Sequence, residues 1–175
     1  MKARRLVASA VLATFGAATV QALQPAATRS ACAAAEYRQF DFWVGDWDTF
    51  EAGAPNQSVA RNRVDVILDG CAIREIYEQS DGLVGQSFSI YDAPRRVWHQ
   101  TWVTNRGLLL IIEGTFRDGR MVLEGATRSA DGQPAVLRGT WWPDGDAVRE
   151  VAESSSDGGK TWKPVFDITF RRHRP

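Results

Sequence analysis

From Phe42 onward, apolar and polar residues alternate with a period of two, in runs of about eight to ten residues. That period sends successive side chains to opposite faces of a strand. Turn residues separate the runs: Glu51-Ala-Gly-Ala-Pro55, Leu68-Asp-Gly70, Ser80-Asp-Gly82, Asp92-Ala-Pro94, Asn105-Arg-Gly107, Asp118-Gly119, Asp131-Gly132, Pro143-Asp-Gly145 and Asp157-Gly-Gly159. Asp-Gly is a strong hairpin signal, because glycine accepts the positive φ of tight primed turns. These turns divide the chain into ten strands, expected over 42–50, 59–68, 71–79, 84–92, 96–104, 107–117, 120–129, 134–142, 147–155 and 161–172. No helix of useful length fits between them. Short connections make neighbours in sequence neighbours in space, so the strands form an antiparallel meander.

An open sheet of ten strands would expose two long edges. Closure into an up-and-down barrel removes them, with a two-sheet sandwich as the competing arrangement. The expected fold is therefore all-β, a ten-stranded antiparallel barrel. No internal repeat is visible, which argues against a propeller. Eight strands enclose room for side chains or one small ligand. A ten-stranded interior is wider and should leave a pocket at one end at least.

Ahead of the strands the pattern changes. Lys2, Arg4 and Arg5 precede an uncharged apolar run, Leu6 to Val20, and Val20-Gln21-Ala22 supplies small residues for cleavage. This predicts a secretory signal over 1–22, with a retained anchor as the alternative. Residues 23–39 read as an Ala-rich linker and a short helix near 33–39, and 40–175 as a single barrel domain. The whole chain carries 21 basic and 21 acidic residues. Without Lys2, Arg4 and Arg5 the remainder has 18 against 21, a formal charge of −3. That balance argues against nucleic acid or an anionic membrane surface as partner, and no stable membrane insertion is expected after cleavage. An exported chain with two cysteines, Cys32 and Cys71, is expected to join them in a disulfide. The expected location is the periplasm or the exterior.

Gly45-Asp46-Trp47 is a G-x-W at the start of the first strand, and Arg171 and Arg172 lie in the last. First and last strands pair in a closed barrel, so either arginine can stack on the Trp47 indole and seal one end. The choice between them needs the register. This arrangement resembles the calycin superfamily, the lipocalin and fatty-acid-binding barrels, which carry a G-x-W in strand one and an arginine near the C-terminus. The wider pattern is similar to exported bacterial proteins of the DUF1579 type. It comprises "FDFWVGDW" from Phe40, Asn62-Arg63, Gly70-Cys71 with Glu75, "SFSIYD", "WHQTW" and "SSDGGKTW". The resemblance spans about residues 32–172. It implies a calycin-like barrel related to nitrobindin-like domains, and no established activity. Nitrobindin-like barrels bind haem through one histidine. Only His99 and His173 are present, so no cofactor is expected, haem being the one to test. No metal site is expected.

Within "RVWHQTWV", Trp98, Gln100 and Trp102 share one face, as do Cys71, Ile73, Glu75 and Tyr77 two strands earlier. Tyr91 shares a face with Ser87 and Ser89. Converging inside, these sets would form a small-molecule site of rings with a few polar groups. Glu113, in the apolar strand "LLLIIEG", is a further candidate for an inward carboxylate. The expected ligand-binding set is thus Glu75, Tyr77, Tyr91, Trp98, Gln100, Trp102 and Glu113. The reading is a binder of a small, partly apolar ligand. Two alternatives stand beside it. One is an enzyme using Glu75 or Glu113 as general base, with Tyr91 or Gln100 orienting substrate. The other is a scaffold with a filled interior. Ser155 to Trp162 matches the Asp-box pattern of sialidase-type propellers, and a single copy in a meander is expected to clip a hairpin.

Overall fold

The computed structural model describes residues 30–129 and 131–174. The signal expected over 1–22 lies outside them. Ten antiparallel strands close into one barrel, each beside its neighbours in sequence, with the first paired to the last. They are β1 Gly45–Glu51, β2 Ser58–Ile67, β3 Ala72–Gln79, β4 Val84–Asp92 and β5 Val97–Thr104. The second half comprises β6 Leu109–Arg117, β7 Arg120–Arg128, β8 Pro134–Asp144, β9 Ala147–Ser155 and β10 Lys163–Arg172. The meander expected from the turns is present. No helix among the described residues is long and apolar enough to cross a membrane.

The first strand starts later than its pattern suggests. Asp41–Trp43 forms a 3-10 turn, with Trp43 N–H donating to Phe40 O at 3.1 Å and Val44 N–H to Asp41 O at 3.0 Å. The expected helix is likewise a single 3-10 turn, Ala35–Arg38. Both turns belong to a segment that folds under one end of the barrel. Phe40 and Trp43 enter it and are fully buried. Phe40 stacks on Trp43 at 5.0 Å between ring centroids and meets Trp98 and Trp141 edge-on at 5.8 and 5.6 Å. Three ties hold this plug from outside. Cys32 and Cys71 are disulfide-bonded, their Cα atoms 5.0 Å apart. Ser30 Oγ donates to Asp69 O at 2.6 Å, and Arg38 to the carbonyl of Gly70.

Trp47 and Arg172 are direct partners across the β1–β10 seam. The Arg172 guanidinium lies 3.9 Å from the indole centroid and donates to Val44 O at 3.2 Å. Arg171 points the other way, stands 4.4 Å over Phe50 and donates to Pro55 O at 2.7 Å. Strand parity thus assigns the seal to Arg172, not Arg171. Gly45 serves it by being small: an added Cβ would lie 2.0 Å from Arg172 Nη1 and 2.8 Å from the Trp47 ring. Asp46 and Asp48 point outward, Asp46 to Arg61 and Asp48 to His173 at 2.9 Å.

Candidate functional site

The plug fills one end only. Above it the barrel holds a cavity of about 360 Å³. Trp43, Trp141 and Phe170 form its floor, while Tyr77, Trp102, Leu110 and Ile112 line the wall. The rim includes Glu51, Leu108, Val165 and Phe166, all more than a third exposed, so the cavity opens to solvent at the end away from the plug. A groove of about 820 Å³ lies at the plugged end, among Asp48, Asp144, Arg171, Arg172 and Arg174, and shares no lining residue with the cavity.

Two strand glycines make room for one ring of the wall and one of the floor. An added Cβ at Gly85 would lie 2.2 Å from the Trp102 ring, and one at Gly139 would lie 2.4 Å from Trp141. Gly139-Thr140-Trp141 repeats the device of Gly45-Asp46-Trp47: the ring folds back over the residue two positions earlier on its own face.

Glu75 sits at mid-depth on β3, 6% exposed. Asn62 Nδ2 of β2 donates to its Oε1 at 2.9 Å, and Ser87 Oγ of β4 to its Oε2 at 2.8 Å. Burial nonetheless outweighs these two donors and pushes the carboxyl up to about 7. Glu150 of β9 lines the same cavity, 9% exposed. Burial raises it well above the carboxylate range, and the charge of Glu75 adds to the rise. The Trp141 N–H favours its ionised form but makes no hydrogen bond of regular geometry. The Tyr77 phenol is also raised, first by burial and then by Glu150 and Glu75.

Four of the expected residues, Glu75, Tyr77, Gln100 and Trp102, come together on the cavity wall. Gln100 Nε2 is steadied by Ser89 Oγ at 3.0 Å. Trp98 and Tyr91 also face inward but belong to the plug. Trp98 Nε1 donates to Gln39 Oε1 at 3.1 Å, and Tyr91 packs edge-on against Tyr37 at 5.4 Å. Placing them in the pocket is therefore corrected: the N-terminal segment occupies their end of the barrel.

Glu113 is corrected too. It stands outside the barrel, bound by Arg95 at 2.7 and 2.8 Å and by His99 Nδ1 at 2.8 Å. Those partners hold its carboxyl at about 2. Of the two carboxylates considered as a general base, Glu75 alone is interior. His99 shares that outer cluster and His173 pairs with Asp48, so neither histidine reaches the cavity. The Asp157 clip has the expected form. Its carboxylate accepts from the Lys160 and Thr161 backbone N–H groups at 3.0 and 2.9 Å, while Arg138 covers Trp162 at 3.8 Å.

Among the cavity residues beyond the expected set are Glu150, Trp141 and Glu51. Glu150 lies on β9 between Val148 and Ala152, but Ala147 and Val151 make the other face equally apolar, so alternation did not mark it. Trp141 carried a usable signal, the second G-x-W. Glu51 is the last residue of β1 and guards the rim. No family model matches the chain, and a search of curated proteins finds no match.

Proposed function

We propose that the barrel binds a small, partly apolar molecule in the cavity above the plug. The observation that carries this reading is the cavity itself. About 360 Å³ is left open in an interior otherwise closed by large aromatic side chains, and its make-up of apolar walls with a few convergent polar groups is that of a ligand site. Glu75, Gln100 and Tyr77 orient the ligand, and the rings of Trp43, Trp102 and Trp141 enclose it. A scaffold with a filled interior does not account for the volume. Glu75 near neutrality is what a general base requires, and that single feature supports the enzymatic reading as second choice.

The same reading places the chain among exported calycin-like barrels of the DUF1579 type, acting in the periplasm or outside the cell. The Cys32–Cys71 disulfide and the closed ten-stranded meander support this. The partner is a small molecule and not a nucleic acid or a membrane.

The test uses the neutral fluorescent probe N-phenyl-1-naphthylamine. The protein is expected to bind it with enhanced probe emission. Ala152→Phe, which fills the cavity from β9, is expected to abolish the enhancement with the circular dichroism unchanged. No enhancement with the native protein, or equal enhancement with the filled variant, overturns the reading.

A further inference from the structure

The cavity is charged in one sense only. Glu51, Glu75 and Glu150 line it, and among the described residues no arginine, lysine or histidine does. The groups facing Glu75 are Asn62 from β2, Ser87 from β4, Tyr77 from its own strand and Glu150 from across the barrel. Glu150 has Trp141 and Ile168 as strand neighbours. The arginines of these strands, such as Arg138 and Arg149, are engaged outside with Glu153 and Asp167. A buried acid without a protein cation holds its proton or waits for a cation from elsewhere.

A second observation points to a missing partner. Asn62 Oδ1, on the amide whose Nδ2 donates to Glu75, is a fully buried acceptor with no donor among the described residues, and an ammonium group supplies N–H donors. Buried polar atoms are seldom left unpaired in a finished interior. An ionised Glu150 would be an acceptor for Trp141, which already favours that form. The rings of Trp43 and Trp141, 6.0 Å apart, present aromatic surface of the kind that attracts cations.

We propose that the ligand is an organic amine, its ammonium group held between Glu75 and Glu150 and its apolar body lying toward Leu108, Val165 and Phe166 at the rim. This rests on the cavity being a ligand site. Charge balances with one negative charge shared by the two glutamates, the other carboxyl keeping its proton and donating a hydrogen bond. Binding below neutrality therefore releases about one proton from the pair to solvent.

Octylamine, octanol and octanoic acid separate the possibilities by titration calorimetry between pH 5 and 8. Octylamine stays cationic throughout this range. Its affinity is expected to exceed that of octanol by tenfold or more at pH 7. It is expected to rise on the order of fiftyfold from pH 5 to 7, as Glu75 ionises, and then level off. Octanol should be indifferent to pH, and octanoic acid should weaken as pH rises. Glu75→Gln is expected to flatten the amine's pH profile. Octanol or octanoic acid binding as well as the amine overturns the amine assignment but leaves the cavity reading standing. Failure of all three to bind overturns both.

Discussion

The guanidinium of Arg172 lies 3.9 Å over the indole of Trp47, closing the barrel where its first and last strands meet. Trp47 is 1% exposed and donates from Nε1 to Trp43 O at 2.9 Å, so the seal also orients the plug. Trp47→Ala is expected to cost about 3–5 kcal/mol, the range for removing a buried aromatic. Arg172→Ala should cost about 1 kcal/mol, since a partly exposed cation–π contact is weak. Arg171→Ala should leave the near-ultraviolet dichroism of Trp47 unchanged, whereas Arg172→Ala should alter it. Urea unfolding of the three variants gives the order. Equal costs for the two arginines would contradict the division of roles.

The disulfide tethers the plug rather than the barrel wall. Cys32 lies just before the 3-10 turns and Cys71 just before β3, 39 residues apart. Closing a loop of this size stabilises by about 4 kcal/mol on a chain-entropy account. Cys32→Ala/Cys71→Ala is expected to lose that amount and to raise amide exchange first in residues 35–43. Exchange rising uniformly round the barrel would show that the tether acts on the whole fold.

Much of this architecture is legible in the chain, and its gaps have specific causes. Strand limits follow from turn glycines and alternation, and β4 begins and ends where its pattern does. The choice between Arg171 and Arg172 required the β1–β10 register, which no local pattern contains. Glu113 misleads because β6 is apolar on both faces. It shares the outer face with Leu109 and Ile111, which are 61% and 47% exposed, so an apolar context did not mean an interior one. Trp98 and Tyr91 have the inward parity expected of them, but parity is silent about depth. Their depth is set by Phe40 and Trp43, which arrive from a segment with no strand pattern at all.

Gly139 tests the room made for the floor of the cavity. Alanine there would set a Cβ 2.4 Å from the Trp141 ring and drive the indole toward the open volume. Gly139→Ala is expected to destabilise by about 1–3 kcal/mol, as overpacking does, and to weaken octanol binding. Gly53→Ala is the control, because nothing lies within 4 Å of its added Cβ. Its change should stay within about 0.5 kcal/mol. Equal behaviour of the two variants in urea unfolding would remove the steric role assigned to Gly139.

Glu75 predicts an unusual dependence of stability on pH. Its folded value is raised from 4.5 to about 7, so between these values the folded chain holds a proton that the unfolded chain has released. Stability contributed this way is present below pH 4.5 and is lost as pH rises through 7. The loss is about 3 kcal/mol for a shift of this size, and Glu150, raised for the same reason, acts in the same direction. The outer acids oppose it at lower pH. Glu113, held at about 2 by Arg95 and His99, contributes stability above its unfolded value that is lost as pH falls toward 2. Maximum stability is therefore expected near about pH 5, at the lower edge of the usual range. Glu75→Gln keeps an acceptor for Asn62 and a donor for Ser87. It should match the native protein at pH 5 and exceed it by about 3 kcal/mol at pH 8. Urea unfolding at the two pH values decides. A native protein more stable at pH 8 than at pH 5, with the variant no different from it, would mean that Glu75 is ionised inside the barrel and already neutralised there.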